Sequence, residues 1–409
     1  MANSGSPHAS DADSQNAISL PFKSTETHVI GSGDEHIVFH RILQQYFLFN
    51  PTAVEIWEQA KHTNSLESLA VNLAREFKVK PEVLLPDIRG IFTQWSQAGL
   101  LSDDSSKPTQ ESDEVLPGPI HSSGAHISKF KIQEFRLIDS NYLISSSNAE
   151  IISLLTPLFS HLPKTNGSNE LHHIQIDEID GVFTVIESGQ RFGQSSELEE
   201  MVPIVNAHVM VSAYQHVECL SVFHAGALSD GKSVIMFSAP SGHGKSTLTA
   251  ALASTDLHLY SDEVVVLKPN ARIRAAPACF GLKTGSWQSL TRYWPDLMKI
   301  PEYRRQDDKQ VRLLAPPALE SEVDTPDGLP LRAIVFPRYD PKGKTNTAPV
   351  TPAQALVRLT DAGYHTNTPL TFDAAERLVR IIENVPAIDL TVNDLDESIE
   401  VIQALFRST

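Results

Sequence analysis

The eight residues Ala239-Pro240-Ser241-Gly242-His243-Gly244-Lys245-Ser246 constrain this chain more than any other stretch. They follow the G-x-x-x-x-G-K-[S/T] pattern of a phosphate-binding loop, with Ala239 in place of the first glycine. Such a loop needs a strand before it and a helix after it. Ser233-Val234-Ile235-Met236-Phe237 is a short apolar run of buried-strand type, and Thr247 to Ala253 reads as a helix. The chemistry is local: Gly242 and Gly244 let successive backbone N–H groups turn inward around a phosphate, and the helix N-terminus adds partial positive charge. Lys245 brings a point charge for the outer phosphates and Ser246 a hydroxyl for Mg²⁺.

Composition bounds the partners. With 409 residues the chain has room for two or three domains, and 41% hydrophobic with 20% charged residues is ordinary for a globular protein. A net charge of −17 argues against nucleic acid, whose phosphates demand basic surface. The two cysteines, Cys219 and Cys279, form no C-x-x-C pair and fit a reducing compartment. No run approaches the roughly eighteen apolar residues of a membrane helix. Met1 to Gln15 is rich in Ser and Asp and lacks the order of a secretory signal. A cytoplasmic protein without a membrane partner is expected, with a disordered tail over residues 1–27.

Residues 28–102 read as a first unit. His36 to His40 and Gln45 to Phe49 look like strands, and Asn50 caps a helix that starts at Pro51 and turns Ala53, Ile56, Trp57 and Ala60 to one face. Ser65 to Phe77 is a second helix with Leu66, Leu69, Leu73 and Phe77 in register. A third starts at Pro81 and carries Val83, Leu84, Ile88, Ile91, Phe92 and Trp95. Two strands and three short helices predict a small α+β winged helix. The run Phe47 to Trp57, with Asn50, Thr52, Ala53, Ile56 and Trp57, resembles PqqD-like peptide-recognition domains over about seventy residues. That resemblance implies a unit that holds a peptide as an added strand. A winged-helix DNA binder is disfavoured, because Ser65 to Phe77 carries only Arg75 as a basic residue.

An acidic, serine-rich linker is expected over 103–120 and a small connecting α/β region over 121–218, with Asp180-Gly181 as a hairpin turn. His172 and His173 read as part of a solvated strand face. From residue 219 to 409 the chain reads as the phosphate-loop domain. A strand through Cys219 to Leu228 carries His224, and Leu259-Tyr260-Ser261-Asp262-Glu263 runs into the apolar Val264 to Leu267. Two acids entering a buried strand need partners, and Mg²⁺ with a substrate hydroxyl would supply them.

His224, Ser241 to Ser246 and the Asp262-Glu263 pair closely resemble the HPr kinase/phosphorylase family and its HPr-kinase-related branch; Phe280 to Trp287 and Ala333 to Arg338 fit that branch too. The match spans roughly residues 125–405. It implies an α/β phosphate-loop kinase with a mixed sheet, using ATP and Mg²⁺. Ser241, Gly242, His243, Gly244, Lys245, Ser246 and Thr247 would bind the nucleotide. Asp262 would accept the proton of a serine hydroxyl, with His224 beside it, and Lys245 would complete the catalytic set as the charge on the outer phosphates. Ser246 and Glu263, with Asp262, would hold the metal. Glu263 replaces the family's second aspartate, Pro240 replaces an acidic loop residue, and a glycine-rich signature is missing. Reverse phosphorylase activity and HPr as acceptor are therefore not carried over.

Lys283 is either a phosphoryl-stabilising cation or a solvated loop lysine, Arg274 is a weaker candidate for the same role, and Pro301 to Pro330 is either a flap or a surface excursion. The expected function is Mg²⁺-dependent transfer of the ATP γ-phosphoryl group to a serine-type hydroxyl on a peptide or protein, a ribosomally made, modified peptide among them. Two alternatives stay open: a kinase of a free small molecule such as serine, and a nucleotide-sensing peptide carrier that transfers nothing. The resemblance also leaves a homo-oligomer open.

Overall fold

The structure, a computed structural model, describes residues 26–101, 130–165, 170–320 and 323–407. The tail expected over 1–27, save its last two residues, and the linker over 103–120 lie outside them. The chain divides into two compact units, Met1–Thr109 and Gln110–Thr409.

In the first unit β1 (Thr27–Ser32), β2 (Glu35–His40) and β3 (Gln45–Phe49) form an antiparallel sheet with β2 central. β1 is an addition to the expected pair. Its apolar signal is only Val29-Ile30 beside Gly31, and it is the partner strand, with Val29 opposite Val38, that fixes it. Helices α1 (Pro51–Ala60), α2 (Leu66–Phe77) and α3 (Pro81–Gln97) follow. Asn50 Oδ1 accepts the Ala53 amide at 2.7 Å and Ser65 Oγ accepts that of Ser68 at 3.1 Å, so two of the three helices are capped by side chains. The apolar faces converge on Trp57, which is fully buried. Trp95 stacks on Phe49 at 5.0 Å between centroids and meets Trp57 edge-on at 5.0 Å. Phe77 and Val83, expected in this core, are exposed instead, at 39% and 61%.

The second unit is α/β with mixed sheets. It opens with β4 (Phe130–Lys131), β5 (Phe135–Leu137), β6 (Ser140–Ser146), α4 (Ala149–Phe159), β7 (Leu171–Ile179), β8 (Val182–Glu187), β9 (Gln190–Ser195) and α5 (Leu198–Gln215). Asp180 and Gly181 turn β7 into β8 with φ of 53° and 78°, the pair of left-handed residues that a two-residue hairpin wants. The boundary expected at 218 runs through one core: Ile144, Leu155, Val205 and Val209 pack in the same cluster as Val222, Val266 and Leu313.

Next come β10 (Ser221–His224), β11 (Gly226–Ser229), β12 (Val234–Phe237), α6 (Lys245–Leu252), β13 (His258–Ser261), β14 (Val264–Leu267), β15 (Arg272–Arg274), β16 (Phe280–Lys283) and α7 (Thr284–Leu290). After them lie β17 (Tyr303–Arg304), β18 (Gln310–Leu314), β19 (Leu329–Tyr339), β20 (Asn346–Val350), α8 (Pro352–Asp361), β21 (Tyr364–His365), α9 (Phe372–Glu383), β22 (Ala387–Val392) and α10 (Leu395–Arg407). β12 lies between antiparallel β11 and parallel β19, and β19 carries β22 in parallel. α6, α7 and α10 cover that face: Leu248, Leu252, Trp287, Ile399 and Ile402 pack on Ile235, Phe237, Val335 and Leu390. Residues 303–314, expected as part of a flap or excursion, pair with β16 in a small antiparallel sheet. Among the described residues no helix is long and apolar enough to cross a membrane.

Candidate functional site

β12 ends where Ser238 donates its amide to Val335 O of β19 at 3.0 Å, and the loop begins there. Gly242 and Gly244 both have φ of 89°, a conformation that L side chains rarely adopt. Nothing lies within 4 Å of the place where a Cβ on Gly242 would sit, so at this position it is the backbone conformation and not crowding that favours glycine. The outer wall is tied down: His243 donates to Pro240 O at 3.3 Å and receives the Tyr339 amide at 3.1 Å. Gly244 is the N-cap of α6, so the amides of Lys245, Ser246 and Thr247 find no acceptor within the helix and lie at its positive end. Backbone amides gathered at a helix N-terminus are the geometry on which an anion can be held.

The acids arrive through a paired interruption of two strands. The expected strand Cys219 to Leu228 is broken at Ala225: β10 pairs with β14 and β21, whereas β11 pairs with β12 and β13. The neighbouring chain breaks at the same level, at Asp262-Glu263 between β13 and β14, and Ala225 donates its amide to Glu263 O across the gap at 3.2 Å. The Ser261 hydroxyl helps turn the chain by accepting the Val264 amide at 2.8 Å. His224 and the two acids are thus placed side by side because both strands give way there.

Lys245 is buried and its Nζ donates to the Asp262 carbonyl. The Asp262 side chain is 3% exposed; Thr249 Oγ1 lies 3.0 Å from its Oδ1, and the Gly281 amide donates to Oδ2 at 3.3 Å. Glu263 is exposed and stands near Gly281, its Oε1 3.9 Å from where a Cβ there would be. His224 reaches solvent on one side, yet the protein around it strips enough hydration to lower its pKa. The charge of Lys245 adds to that, while Glu263 and Asp262 pull the other way. Lys283 Nζ donates to Ser241 Oγ at 3.1 Å, so this lysine reaches the loop itself. Gly226 has no room for more: a Cβ there would lie 2.8 Å from Thr249 Cγ2.

Arg274 is not part of the site. Its guanidinium is 2% exposed and fully engaged by Asp139 at 3.0 Å, by Asp324, and by Ile138 O at 2.9 Å. Thr249 and Gly281, which hold Asp262, carried no signal in the sequence beyond Thr249 lying one helical turn after Lys245. The solvated reading of His172 is also overturned. Its Nδ1 lies 3.0 Å from Glu187 Oε1, His208 Nε2 lies 2.7 Å from Oε2, and Ser212 Oγ donates to Oε1 at 3.2 Å, all largely buried. No period-2 pattern could announce a network assembled from β7, β8 and α5.

Among the described residues no group of three His, Cys, Asp or Glu side chains could hold a metal unaided. The donor set beside the cradle does fit Mg²⁺, because Ser246, Asp262 and Glu263 offer only hard oxygen ligands and phosphate oxygens commonly complete such a shell.

Residues 35–101 match the family described as coenzyme PQQ synthesis protein D (PqqD). A search of curated proteins gives no match. Among solved structures, one match is the Hpr(Ser) kinase/phosphatase from Coxiella burnetii, with 12% identity over 46% of this chain and 93% of that chain, at a TM-score of 0.19. At that TM-score the likeness carries no weight for fold or activity.

Proposed function

We propose that the second unit transfers the γ-phosphoryl group of Mg·ATP to a serine-type hydroxyl on a peptide or protein. In this reading the PqqD-like unit presents the acceptor, a ribosomally made, modified peptide being the class that such a unit suits. The observation that carries it is the bond from Lys245 to the Asp262 carbonyl, which sets the cation of the phosphate loop against the acid pair beside His224.

The loop amides and Lys245 hold the outer phosphates, and Lys283 adds a second cation at Ser241. Bound Mg²⁺ would be held by Ser246 and Asp262 and would neutralise phosphate charge. Burial divides the acids. Asp262, sunk and fixed by Thr249 and Gly281, suits the metal side, whereas exposed Glu263 suits the accepting hydroxyl. This reverses the roles that the family resemblance implies. Glu263 takes the hydroxyl proton as the serine oxygen bonds to the γ-phosphorus. The bond to the β-phosphate oxygen then breaks and ADP leaves. His224, neutral near pH 7 because its pKa is lowered, hydrogen-bonds the same hydroxyl and orients it. Among the described residues β3 is an outer strand of the first unit, with Leu48 exposed at 39%, an edge to which an extended peptide can add.

The test is transfer of radiolabel from γ-labelled ATP to candidate peptides and to free serine, with titration calorimetry of Mg·ATP alongside. Lys245→Ala should abolish both binding heat and transfer. Glu263→Gln should lower kcat by about 10²- to 10⁴-fold while ATP still binds; Asp262→Asn should raise the Mg²⁺ requirement. No heat with Mg·ATP and no labelled product would sink the reading. Label on serine but on no peptide would replace it by the small-molecule kinase.

A further inference from the structure

The phosphate cradle has a neighbour that the chemistry above does not use. Tyr339 is the last residue of β19, at the carboxyl ends of the parallel strands, where open α/β sheets bind their ligands. It is 56% exposed, second only to Val83 among the exposed large hydrophobic residues of the described chain. Side chains alternate along a strand, so Tyr339 shares its face with Val335, which packs in the core beneath α6. That is the face on which the phosphate loop stands.

The backbone under this ring is held firmly. The Tyr339 amide donates to His243 O at 3.1 Å, and its Cβ lies 3.5 Å from where a Cβ on Gly244 would be. The next residue is fixed too: the Asp340 amide donates to Val392 O at 2.9 Å, and Asn393 Nδ2 donates to Asp340 O at 3.1 Å. Yet among the described residues neither an aromatic ring nor a cation is seated on the tyrosine. An exposed aromatic ring on a rigid backbone at the rim of a phosphate cradle is a surface awaiting a flat partner.

We propose that Tyr339 is the nucleobase platform of this site: the phosphates of a nucleotide lie in the loop and its base stacks on the Tyr339 ring. The inference rests on the nucleotide reading above. Stacking needs the π-face and not the hydroxyl, so phenylalanine should serve as well as tyrosine.

Calorimetry on the full chain separates the possibilities, with Mg·ATP and with Mg·tripolyphosphate, which has the phosphates but no base. Tyr339→Ala should weaken ATP binding about 5- to 150-fold, the loss expected for one base–aromatic stack. Tripolyphosphate affinity should stay within about twofold, and Tyr339→Phe should keep the affinity for ATP. Tyr339→Leu, which preserves apolar bulk without a π-face, should lose most of it and guards against a folding defect in the alanine variant. The inference is overturned if Tyr339→Ala binds ATP like the wild type, or if it loses tripolyphosphate equally, since the residue would then merely brace the loop. A wild-type protein that binds neither probe would overturn the nucleotide reading itself, and this inference with it.

Discussion

The two units of this chain are held together in opposite ways. In the first, neighbours in sequence are neighbours in space: β1, β2 and β3 pair in order, and α2 packs on α3 directly after it. In the second, the strand that leads into the glycine loop pairs with residues far along the chain, Val234 opposite Leu331 and Phe237 opposite Val335. β10 is completed by β21, with Val222 opposite His365. A locally wired unit puts its stability in a few apolar anchors, while a distantly wired one puts its candidate site where strands from different parts of the chain give way together. The difference predicts where each unit is fragile.

The sharpest test is Trp57→Ala. Trp57 is fully buried and in contact with Phe49 and Trp95, so truncation should cost about 3–5 kcal/mol. Calorimetry of the full chain should show one transition moving down sharply while the other holds. A single transition shifting as a whole would break the proposed contrast, because it would mean that the units unfold as one.

Gly226→Ala comes next and strikes the other unit. The added methyl meets Thr249 Cγ2 at 2.8 Å, in a packed interior where overpacking costs about 1–3 kcal/mol. Thr249 supports Asp262 at 3.0 Å, so the variant should lose phosphoryl transfer beyond what its stability loss explains. Unchanged turnover in a destabilised Gly226→Ala protein would show that Thr249 is not needed to position that acid.

This contrast also explains what could be read in advance. The helices of the first unit announced themselves through caps at Asn50 and Ser65 and through apolar spacing, because each signal lies within one helical turn of what it specifies. The strand and helix on either side of Gly242 and Gly244 were legible for the same reason: strand, glycines, lysine and helix are contiguous. Thr249 and Gly281 were not legible, nor were the breaks at Ala225 and Asp262-Glu263. Those are decided by which strand lies opposite, and β-pairing with residues as distant as His365 is from Val222 leaves no local period. Phe77 and Val83 erred the other way, for helical spacing marks a face without saying how far the neighbouring helix covers it. Arg274 looked available until Asp139 and Asp324, from two separate segments, closed around it.

A smaller effect should appear on acidification, and in the second unit. Burial alone would raise the pKa of Glu187. The hydrogen bond and charge of His208, and then of His172, outweigh it, and the net shift is downward from 4.5. A carboxylate depressed in the folded state binds fewer protons there than when unfolded. It therefore contributes stability that is complete above pH 4.5 and is lost as the pH falls through its folded value. The melting temperature of the second unit should drop below pH 4.5 with a slope that Glu187→Gln flattens. An identical slope in that variant would show that the buried His–Glu–His network is not what acid dissolves.

The mildest probe returns to the first unit. Asn50 Oδ1 satisfies one of the orphan amides at the start of α1, and Asn50→Ala should cost about 1 kcal/mol. The loss should fall on the transition that Trp57→Ala moves and leave binding of Mg·ATP untouched, because α1 and its cap belong to a core with its own aromatic anchors. If Asn50 sits at the junction of the edge strand β3 and α1 for the sake of a bound peptide, the same variant should also weaken peptide binding by more than its stability loss, since the cap fixes where β3 ends. Equal losses in stability and peptide affinity would confine Asn50 to starting the helix, and would leave the edge of β3 as the feature to test by substitution at Leu48.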